Sequence, residues 1–488
     1  MYVRSVWRVV APAILIFLLT RGMAAAQDAA HQHADDAQAQ GQEHQHDTSA
    51  TGGISMTRDG SGTSWLPDET PMYALHRDAN GWMLMLHANG FLQYLKETGD
   101  RGSDQLGSIN WIMGMAQRKA GRGQLMLRGM VSAEPGTIGG CGYPDLLATG
   151  EECKGEAIHD RQHPHDLFME FAAQYSQPIG RGVQFQIYGG PVGEPALGPV
   201  AFMHRISGLP NALAPITHHW FDSTHITYGV ATGGVFSSTW KAEASVFNGR
   251  EPDEDRTNFD FDAMDSWSAR FWFLPTSHLA FQVSGGHLKE AEAGHDGGPR
   301  RDVDRMTASA TFHRTTLENT FWATTIGWGR NKEPDEATNA LLVESSVTLH
   351  DRDALYGRFE WAQKSGHNLV VEPEEDIFSV AKMQAGYTRY LTAWKGWTPG
   401  VGAAISGGIV PSSLKPFYGS RFNTGFAVYV TLRPAATTAV HADHTAGAGA
   451  GDHTGHAGAP VEDHSKYAAP PPARPRPPTA YIKKRGWN

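Results

Sequence analysis

Between residue 81 and residue 434 the chain alternates almost continuously between apolar and polar side chains, which is the period of a β-strand. Most of the alternating runs are ten to seventeen residues long, whereas strands of soluble sheets usually stop near five or six residues. Sixteen strands are predicted: 82–98, 105–119, 122–134, 165–178, 182–192, 222–237, 239–251, 265–275, 278–289, 302–315, 319–331, 338–350, 353–364, 378–391, 396–410 and 423–434. Their length favours a barrel in a membrane over a soluble sheet.

The connections between these runs alternate between turns of one to three residues and much longer loops. The long loops are 135–164, 193–221, 252–264, 290–301, 365–377 and 411–422. This alternation is typical of bacterial outer-membrane barrels, in which the turns are periplasmic and the loops external. We therefore expect an all-β fold, a transmembrane antiparallel β-barrel of sixteen strands, with fourteen as the alternative and both tails in the periplasm. A soluble sandwich or propeller is the rival, disfavoured because sandwich strands are shorter and no blade-length repeat appears.

The two faces of the predicted strands differ as lipid and lumen would require. In the last run, Phe426, Val428 and Val430 share one face, with polar or small residues between them. Charged residues recur on the face away from lipid: Arg128, Glu170, Lys241, Glu243, Arg270, Arg358 and Glu360. A filled apolar interior would not accept so many charges, so we expect a wet lumen. Four side chains are interpreted as lipid-facing packing: Met113, Met115, Phe271 and Phe273.

The chain ends have a different composition. Residues 1–26 combine Arg4 and Arg8, an apolar run over 9–19 and a small-residue ending, which predicts a secretory signal peptide. The stretch 27–65 is rich in Ala, Gln, Asp and His and is predicted to be disordered, and the barrel is expected over 66–434. The tail 435–488, first His/Asp-rich and then Pro-rich, is also predicted to be disordered.

Export to the cell envelope affects the expected state of the cysteines and the expected partners. In an oxidising compartment the two cysteines, Cys141 and Cys153, are expected to form a disulfide, with two separate thiols as the alternative. The formal net charge of −10 argues against a nucleic-acid partner. Outer-membrane lipid and lipopolysaccharide are the expected surroundings. Porins of this size are often trimers, so a homotrimer is an expected assembly by analogy.

The densest polar chemistry lies in the run 159–166, directly before a predicted strand that carries Glu170. A later loop and the strand after it supply further imidazoles. The candidate metal ligands are His159, His163, His165, Asp166, Glu170, His204, His218, His219 and His225. If they converge at the external mouth, such a set suits a divalent ion: Zn²⁺, Cu²⁺ or Ni²⁺. The alternative is a hydrogen-bonded loop that constricts the lumen, since no ligand pair has a diagnostic zinc spacing.

The C-terminal tail repeats an Asp-His unit at His444, His453 and His464, and His456 lies three residues after the second. The candidate metal ligands of the tail are His444, His453 and His456. Flexible imidazole and carboxylate groups bind divalent metals loosely, and a merely polar tether is the alternative. The tails resemble those of copper-resistance outer-membrane proteins of the B type, whose segments rich in Met, His and Asp are taken to bind copper. Because the tails of this chain contain almost no Met, the resemblance implies Cu²⁺, Zn²⁺ or Ni²⁺ rather than Cu⁺.

Four blocks, His159–Glu170, Gly193–Arg205, His218–Val230 and Asn248–Glu254, resemble a widespread, uncharacterised group of porin-like Gram-negative outer-membrane proteins. This resemblance implies a barrel and no settled activity. Our first hypothesis is a barrel that handles transition-metal ions at the cell envelope, as a channel or a binding protein. The alternatives are a general diffusion porin for small polar solutes and an outer-membrane hydrolase. An enzyme is not expected, because no serine-nucleophile or metalloprotease helix motif is present.

Overall fold

The structure, a computed structural model, describes residues 49–50, 54–292, 299–316 and 319–437. The predicted signal peptide and most of the predicted disordered stretch 27–65 lie outside the described residues. So does the tail from residue 438 onward, with His444, His453 and His456. The described residues all lie in one compact unit.

Sixteen antiparallel strands close into a barrel, so the predicted fold class is confirmed and the fourteen-stranded alternative is wrong. In chain order they are β1 Trp82–Glu97, β2 Asp104–Ala120, β3 Gly123–Val131, β4 Phe168–Gly180, β5 Val183–Gly193, β6 Thr227–Phe236, β7 Trp240–Phe247, β8 Ser266–Thr276, β9 Leu279–Glu292, β10 Arg301–Thr316, β11 Thr320–Lys332, β12 Ala337–Leu349, β13 Asp353–Ser365, β14 Ile377–Tyr390, β15 Trp397–Ile409 and β16 Phe422–Pro434. Strand β16 pairs with β1, with Gly425 opposite Glu97, and so closes the sheet without a free edge.

The described residues also form shorter elements outside the sixteen barrel strands. The strand Leu75–Ala79 forms a hairpin with the start of β1. The other short strands are Ser49–Ala50, Ile54–Ser55, Met72–Tyr73, Tyr143–Cys153, Glu156–Gln162 and Ala436–Thr437. Four single-turn α-helices are α1 Glu134–Thr137, α2 His218–Phe221, α3 Gly366–Leu369 and α4 Lys415–Tyr418, and 3₁₀ turns span Met56–Arg58, Phe202–His204, Ser223–His225 and Ser412–Leu414. None of the described helices has the length and apolar character of a membrane span.

The outer face of the barrel is apolar. On β16, Phe426, Val428 and Val430 are each nearly half exposed, while the alternate side chains Asn423 and Thr431 are buried. Other exposed apolar residues on the strands are Phe271, Phe273, Val283, Trp322, Ile326, Leu341, Leu355, Phe359 and Ile405. So large an exposed apolar surface is unfavourable in water and suits a hydrocarbon surrounding.

Three segments of the chain fill the interior: an N-terminal segment, 54–71, loop A, 132–167, between β3 and β4, and loop B, 194–226, between β5 and β6. Part of the first segment, 54–65, belongs to the stretch expected to be disordered, yet it is ordered and mostly buried. Trp65 of this segment packs with Val200 of loop B against Trp272 of β8. The interior is therefore largely filled with protein, where a wet lumen was expected.

Lumen-facing cations anchor the N-terminal segment. Arg128 of β3 donates to the carbonyl oxygen of Gly62, and Lys241 of β7 donates to the carbonyl oxygen of Thr63. Arg270 of β8 donates to the Thr63 hydroxyl at 3.0 Å. Burial of these charges is tolerated because each finds oxygen partners on the inserted segment.

The remaining predicted lumen charges behave in the same way. Glu243 accepts a hydrogen bond from the Arg270 guanidinium at 2.9 Å. Arg358 pairs with the buried carboxylate of Glu344 at 2.6 Å. Glu360 accepts from both the backbone N–H and the hydroxyl of Thr217 in loop B, at 3.0 and 2.7 Å. The charged inner face thus holds the inserted segments in place.

One interpretation of the strand faces is wrong. Met113 and Met115 of β2 were expected to face lipid, but both are buried in the interior. Gln117 shares their face and is also buried, whereas Gly114 between them is exposed. An apolar thioether was assigned to the lipid side by its hydropathy, but the period of the strand places it inward with Gln117.

Candidate functional site

Five buried histidines from loops A and B meet inside the barrel at the end that carries the long loops. We call them the imidazole cluster: His163, His165, His218, His219 and His225. The ring centroids lie 5.1 Å apart for His218 and His219 and 5.2 Å apart for His218 and His225. His163 lies 5.6 Å from His218, and His165 lies 5.4 Å from His225.

Local sequence explains how each loop presents its rings. His163 and His165 follow the strand Glu156–Gln162, and Pro164 between them favours an extended backbone that places both on one side. His218 and His219 lie in the single turn of α2. Asp222 follows His218 by four residues, so its carboxylate meets the His218 ring at 2.9 Å.

Every Nδ1 atom of the cluster has an oxygen atom close by. The pairs are His163 with Glu151 at 3.2 Å, His165 with Glu134 at 2.9 Å, His218 with Asp222 at 2.9 Å, His219 with Glu251 at 3.0 Å, and His225 with the carbonyl oxygen of Asp222 at 2.5 Å. At His165, His218 and His225 the oxygen accepts a hydrogen bond, and His163 Nδ1 has the carbonyl oxygen of Pro164 as its acceptor at 3.3 Å. In these four rings Nδ1 therefore carries the hydrogen, and a neutral ring then has its lone pair on Nε2. Oxygen partners of this kind orient metal-ligating histidines.

The Nε2 side of the cluster lacks partners. The Nε2 atoms of His163, His219 and His225 are buried, and none has a hydrogen-bond partner among the residues that the structure describes. One nitrogen atom from each of His163, His218 and His219 lies within 4.8 Å of the other two. Buried imidazole nitrogen atoms without a hydrogen-bond partner are unfavourable. A bound cation would satisfy them, and three imidazoles are a ligand set used for Zn²⁺.

A second group of ligand atoms overlaps the first. His219, Glu251 of the loop 248–265 and Glu292 at the end of β9 offer atoms within 4.8 Å of one another. The Nδ1 atom of His219 lies 3.0 Å from Glu251 and 3.8 Å from Glu292. The two carboxylates supply negative charge beside the imidazoles, which favours a cation.

Burial and charge set opposite protonation states within the cluster. Burial lowers the pKa of His218 to about 4 and holds the pKa of His163 well below its usual value. Burial alone would also lower the pKa of His219, but Glu251 and Glu292 outweigh it and raise that pKa to about 10. At neutral pH two of the three candidate ligands are therefore neutral and ready to bind a metal, and His219 holds a proton.

Two residues of loop A that were predicted as ligands lie outside the cluster. The ring of His159 is about one-third exposed and bonds the carboxylate of Asp160 at 2.9 Å. Asp166 accepts a hydrogen bond from the hydroxyl of Tyr228 at 3.0 Å and pairs with Arg256 at 3.5 Å. Both have partners of their own, and neither is among the groups whose ligand atoms converge.

Glu170 and His204 lie deeper in the barrel. Glu170 accepts a hydrogen bond from the Tyr188 hydroxyl at 2.8 Å and lies 3.7 Å from Arg128. The ring of His204 packs on Trp111 with centroids 4.7 Å apart. A small cavity links both residues to His225 of the cluster, so they adjoin the site without belonging to the convergent set.

Sequence reasoning missed the acidic partners, Glu134, Glu151, Glu251 and Glu292. Glu251 belongs to the acidic run 249–255, and Glu134 stands alone at the first position of α1. The signal for Glu251 was its proximity in sequence to other acidic residues. This signal predicts local negative charge, but it does not predict that the side chain faces His219. No local pattern marks Glu134, because its contact with His165 depends on the folding of loop A.

The fold and the site together define the class: a transmembrane β-barrel whose interior is filled by its own loops around a buried imidazole cluster. No protein-family model matches this chain, and no curated protein matches it.

Solved structures with a similar fold include OmpF of Salmonella typhi in complex with daunomycin, at 10% identity over 74% of this chain and 100% of that chain, TM-score 0.45. An anion-selective porin from Comamonas acidovorans is 10% identical over 72% and 99%, TM-score 0.44. The outer-membrane channel DcaP of Acinetobacter baumannii is 9% identical over 74% and 100%, TM-score 0.42. The function of this chain is therefore inferred from its own residues.

Proposed function

We propose that this barrel lies in the outer membrane of a Gram-negative bacterium and binds a divalent transition-metal ion in the imidazole cluster. Zn²⁺, Cu²⁺ and Ni²⁺ are the ions suited to these ligands. The observation that carries the proposal is the arrangement of the rings: an oxygen atom lies beside every Nδ1, and the buried Nε2 atoms of His163, His219 and His225 have no partner among the described residues.

The location follows from the surface of the barrel and the lengths of its connections. The apolar outer face suits lipid, and the long loops that carry the cluster belong on the external side by the usual orientation of such barrels. An ion would then enter from outside and meet His163 and His219 within the filled interior. Sequestration and regulated passage both begin with this binding step.

The experiment is calorimetric titration of the full chain in detergent with Zn²⁺. The double variant His163→Ala/His218→Ala should bind Zn²⁺ at the tight site at least a hundredfold more weakly, because it removes two of three convergent imidazoles. The matched control is His159→Ala, which removes a histidine of the same loop that bonds Asp160 outside the cluster. All three proteins keep the tail histidines, so a difference in Zn²⁺ affinity between them reports on the cluster. Equal affinity in the wild type and the double variant would overturn the proposal.

A diffusion porin is the second candidate, and the path of loop B favours it. This loop folds into the lumen and buries Thr217 against Glu360 of β13, as constriction loops of porins do. A porin should conduct ordinary salts in planar bilayers regardless of micromolar Zn²⁺. Block by Zn²⁺ that disappears in His163→Ala/His165→Ala would favour the metal proposal.

A further inference from the structure

Methionine is concentrated in one part of the barrel interior. Of the fifteen methionines in the sequence, eight are buried and two are partly buried in a single cluster. They are Met56, Met72, Met83, Met85, Met113, Met115, Met126, Met130, Met169 and Met203. Flexible thioethers fill irregular gaps in many cores. Whether these methionines also form a ligand site depends on the residues around them.

The register of the sheet places these side chains in rows with polar ligands. His87 of β1 is opposite Met113 of β2, Met113 is opposite Met130 of β3, and Met130 is opposite Glu170 of β4. In the next row Met85 is opposite Met115. Directly opposed side chains on one face of a sheet are neighbours, so an imidazole and several thioethers form one continuous inner surface.

This surface lines a cavity. The cavity is bordered by Met85, Met113, Met115 and the ring of His87. Loop B closes it with buried Met203 and partly buried His204. We call it the methionine cavity. A packed core would leave no such space, and its lining combines imidazole nitrogen with thioether sulfur.

The methionine cavity adjoins the imidazole cluster. Met203 and His204 also line a smaller cavity that reaches His225 and Glu170. The two cavities thus share a loop B wall. The histidine-rich end offers borderline nitrogen ligands and the methionine cavity offers soft sulfur ligands, so ligand character changes along the interior.

From this geometry we infer that the methionine cavity is a separate site for a soft monovalent metal ion, Cu⁺, bound by thioethers of Met85, Met113 and Met115 together with His87. Thioether and imidazole ligands select Cu⁺ over hard cations. The inference goes beyond the divalent ion proposed for the imidazole cluster. It depends on the barrel fold but not on occupancy of that cluster, so the two can fail separately.

The test uses Ag⁺, a soft monovalent ion that needs no reducing agent, with the full chain in chloride-free detergent solution. Bound silver is measured by mass spectrometry after equilibrium dialysis. The triple variant Met85→Leu/Met113→Leu/Met115→Leu keeps volume and apolar character while removing sulfur. The matched control is Met264→Leu/Met306→Leu/Met383→Leu, which removes three methionines that are each about half exposed.

We expect the interior triple variant to lose one equivalent of bound Ag⁺, or to bind it at least tenfold more weakly, and the control to match the wild type. Should the triple variant fail to fold, the single change His87→Gln should weaken Ag⁺ binding severalfold. Equal Ag⁺ binding by the wild type and the folded interior variants would overturn the inference. Zn²⁺ binding at the tight site of the same variants reports on the imidazole cluster, and His163→Ala/His218→Ala should retain the Ag⁺ equivalent that the interior triple variant loses.

Discussion

At the scale of single residues, the site is built from imidazoles whose two nitrogens face different surroundings. The Nδ1 atoms meet oxygens of Glu134, Glu151, Asp222 and Glu251, and the buried Nε2 atoms of His163, His219 and His225 have no hydrogen-bond partner among the described residues. Asp222 also accepts a hydrogen bond from Arg205 at 3.1 Å, which keeps its pKa below the usual value together with the His218 bond. The orientation of the rings is therefore set by buried charge, before any ion binds.

Protons should compete with the metal at one ligand. His219 has a pKa raised to about 10 by Glu251 and Glu292 against the effect of burial, whereas the pKa of His218 lies at about 4. Binding must therefore expel about one proton at neutral pH, and Zn²⁺ affinity should rise roughly tenfold per pH unit below the pKa of His219. Calorimetry in buffers of different ionisation enthalpy measures the released proton.

Two variants test whether the carboxylates beside His219 cause this release. Glu251→Gln/Glu292→Gln should lower the pKa of His219 and reduce the proton release at pH 7. Glu254→Gln, an exposed carboxylate in the loop 248–265 that bonds the backbone of Gly155, should leave it unchanged. Proton release that is the same in all three proteins would contradict this account.

At the scale of elements, the hairpin of loop A joins the site to the barrel rim. Its strands Tyr143–Cys153 and Glu156–Gln162 pair with two irregularities in register. The predicted disulfide between Cys141 and Cys153 is confirmed. It joins the end of the strand Tyr143–Cys153 to the chain just before that strand begins. The irregular pairing lets Glu151 reach the ring of His163 and brings Gly150 against the ring of His219.

A methyl group at residue 150 should therefore displace a ligand. A Cβ atom on Gly150 would lie 2.1 Å from the Nε2 atom of His219, so Gly150→Ala should weaken Zn²⁺ binding at least tenfold. Gly155→Ala is the control: both glycines have positive φ, +112° and +72°, but a Cβ at residue 155 meets nothing within 4 Å. Calorimetric affinities of the two variants separate ring displacement from backbone strain; equal losses would rule out the displacement.

At the scale of the whole molecule, the barrel is stabilised from within. The inner strand faces carry buried cations, and the N-terminal segment supplies their oxygens at Gly62 and Thr63. Leaving such charges buried without partners costs about 3–5 kcal/mol each. The filled interior and the charged inner wall therefore depend on each other. The homotrimer expected by analogy with porins stays a prediction.

Removing the N-terminal segment should open and weaken the barrel. Deletion of residues 27–66 takes away the Gly62 and Thr63 oxygens that meet Arg128, Lys241 and Arg270, so water should enter in their place. We expect higher single-channel conductance in planar bilayers and a lower unfolding temperature. Deletion of 27–48 alone, which leaves Gly62 and Thr63 in place, should change neither. A conductance equal to that of the wild type after the larger deletion would show that other segments close the lumen.

Much of the barrel could be predicted because its signals are local. The alternation of side chains, the strand lengths and the alternating turns and loops each involve neighbouring residues, and they predicted all sixteen strands. The disulfide also joins residues close in sequence. The sequence also identified His163, His165, His218 and His219 as candidate ligands, because the residue type alone marks a possible metal ligand.

Only the tertiary structure decided which of these residues meet. His159 and His163 lie four residues apart, yet one bonds Asp160 near the surface and the other joins the cluster. Glu134 and Glu292 reach their histidines across more than thirty and seventy residues of sequence. Met113 faced inward against its hydropathy because the strand register, shared with Gln117, determines the side on which it lies. Local periodicity determined the strands, and closure of the sheet around inserted loops decided the site, because convergence of distant side chains has no local signal.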